Sequence, residues 1–419
     1  MTSSRGSIAV FAALTACALL AGCGASAAPS GESAPQAGTT LIGEPVMTPS
    51  PAGRSTPRRA PATPSRTASP ARSSAAGSPV AAAPAARAGN PDGHAAVPAD
   101  AQAVDTSHPD RTVGNGTPAS CTSAAVVAAV AAGGIITFAC GPSPVVITMT
   151  ATAKVRNANG PQVVLDGGGL VTLSGAGKRR ILYMDTCDPA QGYTTSHCQD
   201  QSDPRLTVQN LTFADGNSTG DTAEGGGGGA ILVRGGRFKA VNSRFVRNRC
   251  DTTGPDLGGA AIRVLDQYQD LPVYIVDSTF GGAPGQGGSC SNGGALSSIG
   301  VSWVVLNSVL SYNSAVGNGA NPARSGTPGG GSGGAIYTDG NTYTVDIAGS
   351  VIEDNKADEG GGALFYVSND RTGALSIHSS TLRANPSAGF ETAGYPGIFF
   401  LGAADRYLKS KWPACSQKK

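Results

Sequence analysis

The chain is poor in charge and in aromatic rings. Of its 419 residues, 14% are charged and 5% aromatic, with only two Trp and four His. Thirty Lys plus Arg against 28 Asp plus Glu leave a net charge of +2, which excludes a general nucleic-acid electrostatic footprint. No apolar run is long enough to span a bilayer. With 60 Gly, long helices are disfavoured, and the lack of a strict Gly-X-Y period excludes collagen. At roughly 100–200 residues per domain, length alone would allow two or three domains. The distribution of Pro argues for fewer, since 15 of the 28 fall between Cys23 and Pro118. These absences leave one ordinary-sized core and a long segment with little to bury.

The first residues give an address. Arg5 precedes an apolar stretch, Ile8 to Leu20, that suits a secretory signal. It ends in Leu20-Ala21-Gly22-Cys23, which resembles the bacterial lipobox. That resemblance implies a signal peptide over 1–22, diacylation of the Cys23 thiol and anchoring to the cell membrane, facing the wall or exterior. From Gly24 to Pro118 there is no Phe, Trp, Tyr or Cys, so residues 23–118 read as a lipidated Cys followed by a disordered linker. Such a coil spans roughly 55 Å. Six Arg between Arg54 and Arg87, with no acid from Pro45 to Pro91, suit either anionic wall polymers or a solvated spacer.

Residues 119–419 form the expected domain, with 119–160 as an N-terminal cap region and 390–419 as a C-terminal cap or tail. This part carries 22 Lys plus Arg and 22 Asp plus Glu. It repeats itself. Gly-Gly-Ala plus an apolar residue occurs at Gly228–Ile231, Gly293–Leu296, Gly333–Ile336 and Gly361–Leu364, with a weaker copy at Gly258-Gly259-Ala260-Ala261. A second element follows each copy: Asn242–Phe245, Asp277–Phe280, Asn307–Leu310, Gly349–Ile352 and Ser379–Leu382, with Asn210–Phe213 as an earlier member. Asn248, Asn313, Asn355 and Asn385 stand three residues after four of them. Each repeat reads as short β segments separated by Gly or Asn turns, and one such coil buries a core only by stacking on others. Equivalent Asn in neighbouring coils would then bond their amides along the stack.

These repeats resemble right-handed parallel β-helix proteins, the pectin-lyase-like superfold, and their Gly-Gly-Ala-Ile and Phe-x-x-Asn elements look like the repeats of polymorphic outer-membrane proteins. The whole is similar to actinobacterial β-helix lipoproteins. The resemblance covers about residues 160–390 and implies an all-β, single-domain solenoid behind a disordered tether. Only Phe245 to Asn248 matches Phe-x-x-Asn literally, the other copies using Leu or Ile. Blades and signatures of a β-propeller are missing.

Seven Cys follow Cys23: Cys121, Cys140, Cys187, Cys198, Cys250, Cys290 and Cys415. An extracytoplasmic setting permits disulfides. Proximity and repeat spacing favour Cys121–Cys140, Cys187–Cys198 and Cys250–Cys290, leaving Cys415 free, although spacing alone does not fix connectivity. Without a Cys-x-x-Cys pair, zinc is excluded.

Three clusters carry candidate chemistry. A basic stretch, Arg234, Arg237, Lys239, Arg244, Arg247 and Arg249, contains no acid, and Arg237 and Lys239 share one strand face. Such a stripe suits carboxylated or phosphorylated glycan, or is a solvated face balanced by neighbouring acids. Next, Arg263, Asp266, Tyr268, Asp270 and Tyr274 offer rings for sugars and two carboxylates for acid–base work. Last, Asp185, Asp188, Asp200 and Asp203 flank the proposed Cys187–Cys198 loop; pectate lyases of the superfold use Ca²⁺, but this spacing matches no calcium loop. The expectation is therefore a lipid-anchored surface protein that binds glycan, with Arg234, Arg237, Lys239, Tyr268 and Tyr274 as contacts. The alternatives are a polysaccharide lyase or hydrolase using Asp266, Asp270, Arg263 and Lys239, and a structural or protein-binding surface module.

Overall fold

The computed structural model describes residues 87–221 and 226–403. The signal stretch, Cys23, the linker up to residue 86 and Cys415 lie outside the described residues. Within them the protein is mostly β, with strands in three sheets of 15, 8 and 3. The sheets curl around one apolar core that runs from Val113 to Ile398. Their strands pair in parallel, and each pairs with the equivalent strand of the next repeat.

The Gly-Gly-Ala element precedes four strands of the 8-stranded second sheet, those that begin at Ile231, Leu296, Ile336 and Leu364. Gly228, Gly293, Gly333 and Gly361 have φ between +53° and +72°, a region where a Cβ is strained. The glycine that follows is fixed by space, since a Cβ on Gly334 would stand 2.0 Å from the Gly362 carbonyl oxygen. The next apolar residue then drops into a column along the stack: Leu182, Ile231, Ile262, Leu296, Ile336, Leu364 and Ile398. This register corrects the weak copy by one residue. Ile262 pairs with Ile231, so the equivalent element is Gly259-Ala260-Ala261-Ile262.

The second element turns the corner within the first, 15-stranded sheet. Asn210, Asn242, Asp277, Asn307, Gly349 and Ser379 all have φ between +45° and +61°, with Asn and Asp tolerating the left-handed turn. The serine after it makes a ladder, with backbone N–H of Ser243, Ser278, Ser308 and Ser350 donating to Oγ of Ser278, Ser308, Ser350 and Ser380 at 3.0–3.2 Å. Two residues on, Phe213, Phe245, Phe280, Leu310, Ile352 and Leu382 form an inward column. The rings of Phe213, Phe245 and Phe280 stack at 5.2 and 4.6 Å. The expected amide ladder runs through three members: Nδ2 of Asn313 donates to Asn355 Oδ1, and Nδ2 of Asn355 to Asn385 Oδ1, each at 2.9 Å. Gly288 interrupts it before Asn248, its N–H donating to Asn313 Oδ1.

All three proposed disulfides are present, with Cα–Cα distances of 5.7, 5.0 and 4.8 Å. Cys121–Cys140 brackets the helix Ser123–Ala132, whose start is capped by Thr122 Oγ1 accepting from Ala125 N. Val126 and Val130 of that helix pack on the core.

The expected domain start at 119 is too late. Residues 87–106 lie against the first sheet as a strap. The chain first follows the turn column, where Ala88 N donates to Asn242 Oδ1, Gly89 N to Thr279 Oγ1 and Asn90 N to the Asn307 carbonyl. It then returns over the outward face. Ala95 exchanges two bonds with the Asn307 side chain, Val104 two with Gln209, and Thr106 reaches Asp166. Beneath it, Val241, Val276, Leu306 and Ala348 stand in register on the outer face and are closed over by Ala95, Val97 and Ala101. A sequence with no aromatic ring thus orders by covering apolar surface that other residues supply. At the other end, Ile398–Leu401 pairs with Leu364–Ser368, so residues from 398 extend the second sheet.

Candidate functional site

The strap leaves two hollows on the outward face of the first sheet. The larger, about 630 Å³, has a floor of Val304, Leu306 and Ala348 and a rim of Asp92, His94, Asp346 and His378. His378 Nδ1 stands 3.4 Å from Asp346 Oδ1. The smaller, about 410 Å³, is lined by Gln162, Arg205, Thr207, Arg237, Lys239, Tyr268 and Tyr274, with Ala99, Asp100 and Val104 of the strap as one wall. Of these two hollows, the smaller is where Lys and Arg side chains meet tyrosine rings, so it is the candidate site.

Strand alternation places its cations. Phe238 and Ala240 point into the core, so Arg237 and Lys239 point out. Parallel register sets Arg205 beside Arg237, and Thr207 and Tyr274 beside Lys239. Arg205 has an exposed ion pair with Asp203, Nε to Oδ1 at 3.3 Å. Arg237 Nε has no acceptor among the described residues. Lys239 is tied to the strap, its Nζ donating to the carbonyls of Asp100 at 3.0 Å and Gln102 at 2.5 Å. Burial pushes the Lys239 ammonium below the usual lysine range, opposed by Asp100. Gathered cations beside tyrosine rings make a surface for a carboxylate or phosphate joined to a ring that packs on aromatic faces.

Four of the five expected contacts come together here: Arg237, Lys239, Tyr268 and Tyr274. Arg234 does not. Gly235 and Gly236, both at positive φ, turn the chain between sheets, and Arg234 ends up on the second sheet in register with Asp185. Arg244 donates to the Arg87 carbonyl at the strap's start, and Arg247 pairs with Asp215 at 2.7 Å. Sequence reasoning missed Arg205, Gln162 and Thr207, which the register brings in from preceding repeats. It also missed the strap, although the return of acid at Asp92, Asp100, Asp105 and Asp110 was a usable signal.

The catalytic set is dispersed. Lys239 lies under the strap, while Arg263 stands on the second sheet, 5% exposed, in register with Leu232 and Ser297. Asp266 and Asp270 belong to the connection between the sheets. Burial raises the Asp266 carboxyl above the usual range, and Asp270 and Asp200 add to the effect against Arg234.

The four aspartates proposed for Ca²⁺ each hold something else. Asp185 and Asp188 accept from the Tyr183 hydroxyl, Asp200 from Gln269 N and Asp203 from Ser202. Among the described residues, no group of three or more His, Cys, Asp or Glu is arranged to hold a metal ion. Nor is any described helix long and apolar enough to cross a membrane. The three disulfides point to an oxidising environment. Comparison with known protein families, curated proteins and solved structures returned no match.

Proposed function

We propose that the protein is a single right-handed parallel β-helix of the pectin-lyase-like kind, held at the cell surface by lipid on Cys23, and that it binds anionic glycan in the cleft beneath the strap. The observation that carries this reading is the convergence of Arg205, Arg237 and Lys239 with Tyr268 and Tyr274 in one hollow. Parallel strands that pair repeat to repeat support the solenoid, and the disulfides suit an extracytoplasmic location. A glycan laid across the rungs would meet its charge at the guanidinium groups of Arg205 and Arg237 and stack on the rings.

One observation favours a lyase as the second reading: a lysine with a lowered pKa beside two arginines is a base next to carboxylate clamps. The two strap carbonyls at Lys239 Nζ oppose it, because they accept from the ammonium and so favour the charged form over the free amine that a base must be. Binding is therefore the preferred reading.

The test mixes the purified protein with polygalacturonate and, as the neutral control, dextran, and follows co-elution and polymer size by chromatography. Expected are co-elution with polygalacturonate alone, weakening as salt rises, no change in polymer size, and a loss of about tenfold, or 1.4 kcal/mol, in Arg237→Ala. Shortened polymer supports the lyase reading. Equal retention on dextran, or none on either polymer, overturns the anionic-glycan reading.

A further inference from the structure

The outward column of the second sheet places Leu232, Arg263, Ser297 and Tyr337 on successive rungs. Backbone presses directly on the middle pair. A Cβ on Gly227 would lie 2.7 Å from Arg263 Cδ, and one on Gly258 would lie 2.7 Å from Ser297 Oγ. Under this cover Arg263 is 5% exposed and Ser297 0%. Neither Nε nor Nη1 of Arg263 has an acceptor among the described residues, and the Ser297 hydroxyl has no partner either.

The neighbouring groups are committed to other contacts. Arg180 takes the carbonyls of Gly227 and Gly228 and pairs with Asp221 at 2.8 Å. Asp256 Oδ1 and Asp339 Oδ2 both accept from Asn321 Nδ2, at 2.6 and 3.0 Å, and the same Nδ2 lies 2.8 Å from the Tyr337 hydroxyl. Asp256 therefore acts on Arg263 from a distance, while Arg180 repels it. Burial pushes the guanidinium down to about 10, which leaves it charged at neutral pH. A buried cation with open N–H groups needs a counter-charge within hydrogen-bond reach, and the described residues offer none.

We propose that Arg263 and Ser297 hold a small monovalent anion of the chloride class beneath the glycine loops at Gly226–Gly228 and Gly254–Gly258. The close approach of Gly227 and Gly258 selects a small guest and excludes a sugar acid or a phosphate ester. The site lies on a different sheet from the glycan cleft and does not depend on that reading.

The test follows thermal unfolding of the full chain in sodium chloride and sodium gluconate mixtures at constant ionic strength. A ligand bound only by the folded state raises Tm with the logarithm of its concentration. The wild-type Tm rises with chloride, Arg263→Met loses that slope, and Ser297→Ala reduces it. Chloride-35 NMR line broadening of the wild type, displaced by bromide, gives a readout that needs no variant to fold. A wild type with no chloride slope and no excess broadening overturns the proposal, as does an undiminished slope in Arg263→Met.

Discussion

The two sheets bury their outward faces by different means. On the first sheet, Val241, Val276, Leu306 and Ala348 are covered by residues that precede every repeat, laid along the stack as one strap. On the second, Tyr337, Phe365 and Val367 cluster with Phe390 and Phe399, and Arg263 is covered by loops inserted within the repeats. Two inward columns show no such difference, being Leu or Ile on every rung from Leu182 to Ile398 and Phe, Leu or Ile from Phe213 to Leu382. Rungs are thus interchangeable inside and individual outside. The strap leaves hollows along its edges. The loops close tightly over single side chains.

The sharpest contrast is between an inner and an outer column. Phe245 stacks between two rings and is 1% exposed, so Phe245→Ala removes the middle of a stack that cannot collapse. The expected loss is about 3–5 kcal/mol in urea unfolding. Leu306 sits on the outer face at 4% exposure, and the strap is what buries it. Leu306→Ala is expected to cost about 2 kcal/mol, the low end of the core range, since a single strand of chain packs over it. A cost inside the roughly 0.5 kcal/mol of ordinary surface substitutions would break the comparison, because the strap would then not be docked in solution.

The same contrast separates what the sequence made legible from what it did not. Repetition exposed the columns: Ile231, Leu296, Ile336 and Leu364 each follow Gly-Gly-Ala, and repeat spacing favoured the Cys250–Cys290 pairing without fixing it. The single-residue slip at Ile262 arose because Ala260 stands where the other copies keep their second glycine, while Gly258 supplies a false match one residue early. The strap stayed hidden because the apolar residues it covers, Val241, Val276, Leu306 and Ala348, lie far along the chain from Ala95, Val97 and Ala101. Its own composition is that of a spacer. The cleft was half legible. Alternation put Arg237 and Lys239 on one face, but Arg205 enters through register with an earlier strand. Arg263 was drawn toward Asp266 by closeness in sequence, and the strand's end sends the two apart.

The mildest expected effect tests the loops of the second face through pH. Glu359, 6% exposed, accepts from Arg324 Nη1 at 2.7 Å, from Arg324 Nη2 at 2.6 Å and from Gly319 N at 2.9 Å. It ties down the loop that carries Asn321 to Tyr337 and Asp339. The Arg324 hydrogen bonds hold its carboxyl below the ordinary glutamate value. A depressed carboxylate contributes stability that is fully present above its unfolded pKa and is lost as pH falls through the folded one. Asp339, raised chiefly by burial, works in the opposite direction, so acidification relieves its cost while the Glu359 clamp is being lost. Glu359→Gln keeps the shape and removes the charge. With Arg324 more than half exposed, its cost at neutral pH is about 1 kcal/mol after allowance for screening. The variant should also lose part of the wild type's fall in stability below the glutamate range, measured by urea midpoints from pH 7 to pH 3. An unchanged acid limb would mean that the clamp contributes nothing, and that the loops over the second sheet are held by Asn321 and its partners alone.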